Sequence, residues 1–457
     1  MTDFRDVSLT EPLLQALEIL DYAQMTPVQA ASLPLILAGQ DVIAQARTGS
    51  GKTAAFALGL LSRLDANAIA VQLLVLCPTR ELADQVSKEI RRLARCIPNV
   101  KVSTLCGGIP LGAHIASLSH LPHIVVGTPG RIQDLLKKKT FTLDALKVLV
   151  LDEADRMLDM GFEEDIAAIV KQAPKQRQTL LFSATWPEPI RAISTRVQRD
   201  PVAVTVDTTH ADTVIEQIYF EAEPARKTDA LAVLLATYKP ESALVFCNTK
   251  RDVDAVAEQL AQMGYVALAL HGDMEQRDRD EVLLRFANRS CSVLVATDVA
   301  ARGLDIKELP AVISYELPTD ADAHVHRIGR TGRAGSSGLA LSLVASRETG
   351  RVAMIEAASG TPARWGRLDL SQRVAKPAPP AMVTLAIDGG RQDKLRPGDV
   401  VGALTGEAGL HKDAIGKIDT YTTRSYVAVQ RDQAARALER LRASGIKGRK
   451  FRARRLD

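Results

Sequence analysis

The chain has 457 residues, more than one hydrophobic core normally holds, so we expect roughly two to four domains. Charged residues make up 25% and apolar residues 46% of the sequence, as in ordinary globular proteins. No apolar run approaches the ~20 residues that span a membrane, and the amino terminus lacks the features of a signal peptide. The five cysteines are widely spaced, which argues against a disulfide framework or a zinc site and favours the cytoplasm.

Positive charge is concentrated near the carboxyl terminus. Residues 382–457 contain 16 Lys and Arg against 9 Asp and Glu, a net charge of +7. Because the whole chain has a net charge of +4, the preceding residues together carry −3. A basic terminal module is typical of proteins that bind polyanions, and a solvated basic surface is the alternative.

In chain order, the first informative segment is a phosphate loop. Residues 46–53 read ARTGSGKT, between an apolar stretch and a helical pattern. In such a loop the glycines turn backbone N–H groups towards phosphates, the lysine (Lys52) neutralises their charge, and the threonine hydroxyl (Thr53) binds Mg²⁺. Ala46 stands where the standard pattern has its first glycine, so this motif alone is weaker than usual.

Short apolar runs alternate with helical patterns up to about residue 208. Such runs are typical of strands buried on both faces of a parallel sheet, with helices on either side. They lie at residues 73–77, 124–126, 148–151 and 179–182. After a polar hinge at 207–212 the theme repeats at residues 243–246, 266–270, 292–296 and 311–314. We therefore predict two domains, residues 1–208 and 209–367.

Two acidic residues follow the strand predicted at 148–151. Asp152 is placed to hold Mg²⁺ through water, and Glu153 is placed to orient and deprotonate an attacking water. The alternative is that both carboxylates only stabilise the amino terminus of a helix.

An arginine-rich run at residues 326–333 lies in the second predicted domain. Arg330 and Arg333 are three residues apart, so both would face one side if this segment were helical. Arginine forks stabilise charge that spreads over phosphoryl oxygens, and hydrolysis would then require the two domains to close on the nucleotide. Alternatively, Arg327 and Arg330 are structural ion-pair partners.

The carboxyl-terminal region has a different pattern. Residues 368–381, which include PAPP, are a predicted linker. Beyond them we predict the order β-α-β-β-α-β, the split-βαβ arrangement. The predicted elements are strand 383–387, helix 397–404, strands 415–418 and 426–429, helix 433–443 and a strand near 450–454. Residues 447–455 hold six cations and one aromatic, a run that can bind phosphates and stack a base.

Together, the order and spacing of these motifs over residues 1–365 closely resemble the DEAD-box ATP-dependent RNA helicases. The resemblance implies an α/β fold of two tandem RecA-like parallel-sheet domains followed by a small RRM-like α+β domain. It implies ATP and Mg²⁺ as cofactors and RNA as the partner. The core residues suit phosphates and 2′-hydroxyls, and none favours a particular base.

The same resemblance assigns roles to individual residues. Catalytic roles fall to Lys52, Asp152, Glu153, Arg330 and Arg333, and the metal ligands are Thr53 and Asp152. The nucleotide would be bound by Phe4, Gln29 (at the adenine edge), Thr48, Gly49, Ser50, Gly51, Lys52, Thr53 and Asp305 (at the ribose). ATP state would be coupled to domain closure by Ser183, Thr185 and His326. The core would contact RNA through Pro78, Thr79, Arg80, Gly107, Gly108, Thr128, Pro129, Gly130, Arg131, Gln276, Arg279 and Thr297.

Residues 382–457 resemble the RNA-binding domain of a bacterial branch of that family. The resemblance implies recognition of a hairpin of large-subunit (23S-type) ribosomal RNA and a role on pre-ribosomal large-subunit particles. The expected contacts are Tyr426, Lys447, Arg449, Lys450 and Arg452. We predict a cytoplasmic, monomeric enzyme that locally unwinds RNA. An ATP-gated RNA clamp remains an alternative, and the motif at residues 25–29 and the basic tail disfavour a DNA helicase.

Overall fold

The computed structural model describes residues 3–46, 49–186, 188–206, 215–301, 309–332, 338–371, 375–406 and 409–456. These residues form two compact units, one before residue 207 and one after residue 214. Among them, every helix is too short or too polar to cross a lipid bilayer. The domain boundaries at residues 208, 367 and 381 stay predictions.

The first unit is a seven-stranded parallel sheet flanked by helices. Its strands are β1 (Val42–Gln45), β2 (Leu73–Leu76), β3 (Val102–Leu105), β4 (Ile124–Gly127), β5 (Val148–Leu151), β6 (Gln178–Ser183) and β7 (Val202–Thr205). Its helices are α1 (Glu11–Ile19), α2 (Pro27–Leu37), α3 (Lys52–Ser62), α4 (Arg80–Leu93), α5 (Leu111–Ser117), α6 (Pro129–Lys137), α7 (Ala154–Asp159), α8 (Glu163–Gln172) and α9 (Glu188–Val197). The strand order is β3-β4-β2-β5-β6-β1-β7.

Strand β2 illustrates why these apolar runs become central strands. Leu73 and Val75 point into one hydrophobic core, whereas Leu74 and Leu76 point into a second core on the opposite face. All four residues are fully buried. A continuous apolar run can only be accommodated where helices cover both faces of the sheet, so this part of the prediction is confirmed.

The second unit contains another seven-stranded parallel sheet. Its strands are β8 (Ile215–Glu221), β9 (Ala243–Cys247), β10 (Ala267–Leu270), β11 (Val293–Thr297), β12 (Ala311–Ser314), β13 (Gly338–Val344) and β14 (Trp365–Gly366). Its helices are α10 (Lys227–Tyr238), α11 (Lys250–Gln262), α12 (Gln276–Ala287), α13 (Asp298–Ala301), α14 (Ala321–Ile328) and α15 (Thr349–Ser359). The order β10-β11-β9-β12-β13-β8-β14 repeats the pattern of the first sheet.

A small antiparallel sheet completes the second unit. It consists of β15 (Met382–Ile387), β16 (Ile415–Thr420), β17 (Ser425–Gln430) and β18 (Ala453–Leu456), with helices α16 (Pro397–Thr405) and α17 (Ala434–Ser444). The strand order is β16-β17-β15-β18, and the element order β-α-β-β-α-β is confirmed. The last strand begins at Ala453, later than predicted, so most of the basic run precedes it in a loop.

The two faces of the small sheet have different partners. One face packs under α16 and α17, whereas the other packs on α12 of the larger sheet domain. In that second contact Leu284 of α12 forms a buried cluster with Ala386, Tyr426 and Leu456. The contact joins α12 to three strands of the small sheet, so it fixes the orientation of the small domain.

Polar contacts surround this cluster. Thr384 Oγ1 is fully buried, lies 2.7 Å from Ser290 Oγ and accepts a hydrogen bond from Asn288 Nδ2 at 3.3 Å. Arg454 Nη2 lies 3.6 Å from Glu281 Oε2. Buried polar groups that are hydrogen-bonded in this way favour a single arrangement of the small sheet on α12.

We predict that Leu284→Ser loosens the seating of the small sheet on α12. Burying a leucine side chain contributes about 1.5–3 kcal/mol, and the serine would forfeit most of it. Limited proteolysis should cut residues 375–381 faster in this variant. The matched control is Met263→Ser, because Met263 is 38% exposed. Equal cleavage rates in both variants would contradict the prediction that Leu284 stabilises the contact between the small sheet and α12.

Candidate nucleotide and RNA sites

The phosphate loop joins β1 to α3, and two glycines turn its backbone. Gly49 and Gly51 have φ angles of 85° and 97°, in the left-handed region that favours glycine. Lys52 begins α3 and is buried, and Thr53 follows it in the first turn. Thr48, which the sequence assigns to the same loop, lies outside the described residues.

Gln29 ties this loop to α2. Its Oε1 accepts a hydrogen bond from Thr26 N at 2.8 Å, and its Nε2 donates to Gly51 O at 3.1 Å. A Cβ atom at Gly51 would lie 2.6 Å from Gln29 Nε2, so any side chain there would displace the amide. The Gln29 amide therefore supports the loop in this structure, and its contact with an adenine edge stays a prediction.

Asp152 and Lys52 dominate the electrostatics of the site. Burial raises the pKa of Asp152 to about 7, the Lys52 ammonium opposes that rise, and the Glu153 carboxylate adds to it. Lys52 Nζ, Ser50 Oγ and Asp152 Oδ1 are buried and make no hydrogen bond within the described part of the chain. Buried polar groups in native proteins normally have partners, and these suit the phosphates and hard cation of a nucleotide.

Glu153 occupies a strained position between β5 and α7. Its φ angle of 52° lies in the left-handed region, which side chains other than glycine rarely adopt. It is buried, with an exposed fraction of 4%. Backbone strain of this kind is concentrated at functional sites, which agrees with the predicted role of Glu153 without testing it.

Asp155 links the acidic motif to the end of β6. Its Oδ2 accepts hydrogen bonds from Ala184 N at 3.1 Å, Thr185 N at 3.2 Å and Thr185 Oγ1 at 3.2 Å. Ser183, at the end of β6, accepts a hydrogen bond from Ala46 N at 3.0 Å through its carbonyl. The sequence suggested coupling roles for Ser183 and Thr185 but gave none to Asp155, which hydrogen-bonds Thr185 to the acidic motif.

Arg80 lies against two glycines of a neighbouring loop. A Cβ atom at Gly107 would lie 3.3 Å from Arg80 Nη2, and one at Gly108 would lie 1.5 Å from Arg80 Nη1. Gly108 also has a φ angle of 77°. The two glycines therefore leave the space that the guanidinium occupies, and the structure brings these three predicted RNA residues together.

Pro78 and Thr79 immediately precede Arg80, and Thr79 caps α4 by accepting a hydrogen bond from Leu82 N.

Arg131 joins the same loop to α6. Its Nη1 donates to Ile109 O at 2.8 Å and lies 2.7 Å from His114 Nδ1. Burial and the Arg131 charge lower the pKa of His114, so the neutral imidazole can accept this hydrogen bond. Thr128 directly precedes α6, with Pro129 and Gly130 in the first turn of that helix. All of these residues follow β2, β3 or β4, which are adjacent strands and end at one sheet edge.

Arg327 in the second unit is structural. Its Nε and Nη2 form a fork with Asp298 at 2.8 and 2.7 Å, and its Nη2 also donates to Asn248 Oδ1 at 2.8 Å. The guanidinium lies 5.0 Å from the centre of the Phe246 ring and is 1% exposed. The alternative that Arg327 is an ion-pair partner is thus confirmed.

The helical geometry assumed at Arg330 is not realised. Helix α14 ends at Ile328, so Arg330 follows the helix and the argument from helical spacing does not hold. Arg330 is buried, with an exposed fraction of 4%. His326 lies in the last turn of α14. Arg333 and Asp305 lie outside the described residues, and the functional roles of all four stay predictions.

Three predicted RNA residues lie near the carboxyl edge of the second sheet. Gln276 begins α12, and its Nε2 donates to Asp280 Oδ1 at 2.9 Å. Arg279 lies in the same helical turn. Thr297 ends β11, and its Oγ1 accepts a hydrogen bond from Ala300 N at 3.3 Å. The helix that carries Gln276 and Arg279 is also the helix on which the small sheet is seated.

The small domain buries one of the predicted RNA contacts and exposes four others. Tyr426 is only 7% exposed and packs in the cluster with Leu284, so its ring is not available to stack on a base in this arrangement. Phe451 packs against the hydrophobic core of the small domain. By contrast, four of the predicted RNA-binding cations are exposed in the loop before β18: Lys447, Arg449, Lys450 and Arg452. Lys447 Nζ pairs with Asp399 Oδ2 at 2.8 Å.

Phe4 also has a packing role. Its ring is 3% exposed in the core of the first unit and meets the Tyr22 ring edge-on, with centroids 6.4 Å apart. In this conformation it offers no open face to a nucleotide base. Its predicted contact with the nucleotide is therefore untested.

Comparisons with known proteins identify the family of this chain. Residues 26–193 match the DEAD/DEAH box helicase family, residues 226–335 the helicase conserved C-terminal domain, and residues 384–455 the DbpA RNA binding domain. The chain is 54% identical over 455 residues to the ATP-dependent RNA helicase DbpA of Escherichia coli, with 99% of each chain covered. This chain belongs to the DEAD-box ATP-dependent RNA helicases.

Other members of the family are similar over the two larger domains. The DEAD-box ATP-dependent RNA helicase CshA of Bacillus cereus is 46% identical, covering 78% of this chain and 68% of CshA. The structure of S. cerevisiae Dbp5 bound to RNA and ADP BeF3 is 29% identical with a TM-score of 0.73, covering 81% of this chain and 96% of Dbp5. This DEAD-box protein is therefore a DbpA-like RNA helicase and RNA-stimulated ATPase with a carboxyl-terminal RNA-binding domain.

We predict that Gly108→Ala weakens RNA binding by the DEAD-box core. The added methyl group would displace Arg80, and losing one hydrogen bond to a charged group weakens binding by roughly tenfold. The RNA concentration giving half-maximal ATPase stimulation should rise accordingly, while nucleotide affinity stays unchanged. Gly112→Ala is the matched control, since a Cβ atom there meets nothing within 4 Å. An unchanged half-maximal RNA concentration in Gly108→Ala would contradict the role of Arg80.

We also predict that Mg²⁺-dependent nucleotide binding weakens below pH about 7. The pKa of Asp152 is raised from 3.8 to about 7, so the protonated form is favoured in the folded chain below that pH. The stability that the protonated Asp152 side chain gives to the folded state is therefore complete below pH 3.8. It is lost as the pH rises through about 7. A hard cation requires the ionised carboxylate, so affinity should fall by at most about tenfold per pH unit below the folded pKa.

The measurement is titration of a fluorescent ADP analogue with Mg²⁺ or with EDTA over this pH range. Asp152→Asn is the control, because it removes the titrating group and should flatten the profile. A wild-type profile that is equally flat would contradict the assignment of Asp152.

Proposed function

We propose that this helicase separates short RNA duplexes locally and that its carboxyl-terminal domain directs it to large-subunit, 23S-type ribosomal RNA during ribosome assembly. The observation that carries the proposal is the seating of the basic domain on α12. Gln276 and Arg279 lie at the start of that helix, and Leu284 lies further along it. RNA held by the small domain would thus be presented at a fixed orientation to the core.

The nucleotide site supports ATP with Mg²⁺. Lys52 and Ser50 would bind phosphate oxygens, and Thr53 and Asp152 would hold the cation. Magnesium would neutralise charge on the phosphates. No cluster of three or more His, Cys, Asp or Glu side chains suited to a metal occurs among the described residues, so the phosphates themselves would complete the coordination. Glu153 would orient the attacking water, as the sequence predicts.

The core residues suit local strand separation without base specificity. Arg80, Arg131 and Arg279 offer guanidinium groups, and the glycines beside Arg80 bring backbone close to the same surface. Such groups bind phosphates and 2′-hydroxyls, which every RNA sequence presents. Arg330 and Arg333 are proposed to stabilise phosphoryl charge when the chain closes on ATP and RNA. Preference among RNAs would then have to come from the small domain.

In the small domain we assign RNA binding to the loop before β18. Arg449, Lys450 and Arg452 are exposed there. The alternative assignment, to Tyr426, is disfavoured because the Tyr426 side chain is buried. Cations of this kind bind phosphates strongly and in a salt-dependent manner. We further propose that the protein acts as a cytoplasmic monomer.

The test is a triple variant, Arg449→Gln, Lys450→Gln and Arg452→Gln, assayed for ATPase stimulation by ribosomal RNA and by poly(A). We expect stimulation by ribosomal RNA to require more RNA, by roughly tenfold per lost charged contact, with little change for poly(A). The control triple is Lys137→Gln, Lys138→Gln and Lys139→Gln, three exposed cations of the first unit.

An equal loss for both RNAs would mean that the loop adds affinity without preference. An unchanged response to ribosomal RNA would place recognition elsewhere in the chain. Displacement of one strand from a short labelled duplex, measured alongside, separates a helicase from an ATP-gated clamp, since a clamp would retain RNA without releasing a strand.

A further inference from the structure

A pocket of about 570 Å³ lies at the edge of the first sheet opposite the nucleotide site. Its lining includes four cations, Arg63, Lys147, Arg177 and Arg199, and no carboxylate. Lys147 directly precedes β5, whereas Asp152 directly follows it. At about 3.3 Å per residue the two edges are roughly 16 Å apart, so this basic pocket is separate from the ATP site.

Backbone carbonyls, rather than acids, accept hydrogen bonds from three of these cations. Arg177 donates to Pro174 O at 2.8 Å and to Val197 O at 3.1 Å, and Arg199 donates to Arg177 O at 2.9 Å. Lys147 Nζ donates to the carbonyl of Arg63 at 3.3 Å. None of the four cations forms an ion pair with a carboxylate of the described residues.

One carboxylate lies nearby, and its oxygens are already used. Asp41 is buried, and it accepts hydrogen bonds from Thr179 N and Arg199 N, both at 2.7 Å. It favours the charged form of Arg177, but a single negative charge leaves most of the positive charge in the pocket uncompensated. Like charges held together without counter-ions repel, which is unfavourable unless an anion binds.

Arg177 is the innermost of the four. It is 8% exposed, and its Nε makes no hydrogen bond with the described residues. Burial and the neighbouring Arg199 lower its pKa, which reflects the cost of keeping this guanidinium charged. Arg63, Lys147 and Arg199 are exposed around it, so the pocket has a buried cation at its base and three more at its rim.

We propose that this basic pocket binds a phosphate group, supplied by an RNA backbone or by a free phosphorylated molecule. Guanidinium forks match the oxygens of phosphate, both in the singly charged diester of an RNA backbone and in a free phosphorylated molecule that carries more negative charge. Residues of the pocket lie on the amino-terminal side of the strands, away from the predicted RNA residues, so an RNA phosphate here would be an additional contact point.

The experiment follows the rate at which Lys147 of the full-length protein is acetylated by a water-soluble active ester, measured by mass spectrometry. The probes are inorganic tripolyphosphate and a single-stranded RNA, each added alone without nucleotide. At about ten times the dissociation constant, acetylation of Lys147 should slow by roughly tenfold. Exposed Lys138 of the same unit is the internal control and should react at an unchanged rate.

The double variant Arg63→Gln and Arg199→Gln removes two rim cations and leaves Lys147 as the reporter. The affinity of this variant for a probe that binds in the pocket should fall by roughly tenfold per lost charged contact. Protection by RNA alone would identify the backbone as the source of the phosphate, and protection by tripolyphosphate alone would identify a small ligand. The proposal is overturned if neither probe slows the reaction, if Lys138 is protected equally, or if the variant is protected as well as the wild type.

Discussion

The attraction between Lys52 and Asp152 is the interaction on which the nucleotide site depends. Both side chains are buried at the carboxyl edge of the first sheet, where an isolated charge would be costly. The lysine opposes the rise in the pKa of Asp152 that burial causes. Neither Lys52 Nζ nor Asp152 Oδ1 is satisfied by hydrogen bonds to described residues, so the fold holds two opposite charges ready for a ligand that carries both phosphates and a cation.

Short polar links transmit the geometry of that site to its surroundings. Gln29 bridges Thr26 and Gly51, so hydrogen bonds join the phosphate loop to α2. Asp155 accepts three hydrogen bonds from Ala184 and Thr185, which join the turn after β5 to the turn after β6. These contacts join the phosphate loop and the turn after β5 to the end of β6, and the coupling of nucleotide state to conformation through them stays a prediction.

The sequence predicted best where one physical rule dominates. β5 (Val148–Leu151) is a run of four apolar residues, and such a run is accommodated as a strand that is buried on both faces of the sheet. The sequence did not predict the edge strand Val102–Leu105, because this segment is too polar to show a continuous apolar run. Its first three residues are only partly buried. The argument from helical spacing at Arg330 does not hold because helix α14 ends before it, and the role of Arg330 stays a prediction. The phosphate loop and acidic turn were recognisable because they require fixed spacings along the chain, whereas the role of Asp155 depends on a contact thirty residues away.

Tyr426 shows most clearly what a linear pattern cannot reveal. An aromatic on the open face of a small antiparallel sheet suggests base stacking, yet here that face is covered by α12. Helix α12 is rich in charge and gives little sign of a docking surface, because Leu284 alone supplies its part of the buried cluster. Since the other face of the sheet lies under α16 and α17, the edges and loops remain for RNA. The exposed cations of the loop before β18 are therefore the surface to which we assign RNA binding in our proposal, and α12 joins the small sheet to the second large sheet through Leu284.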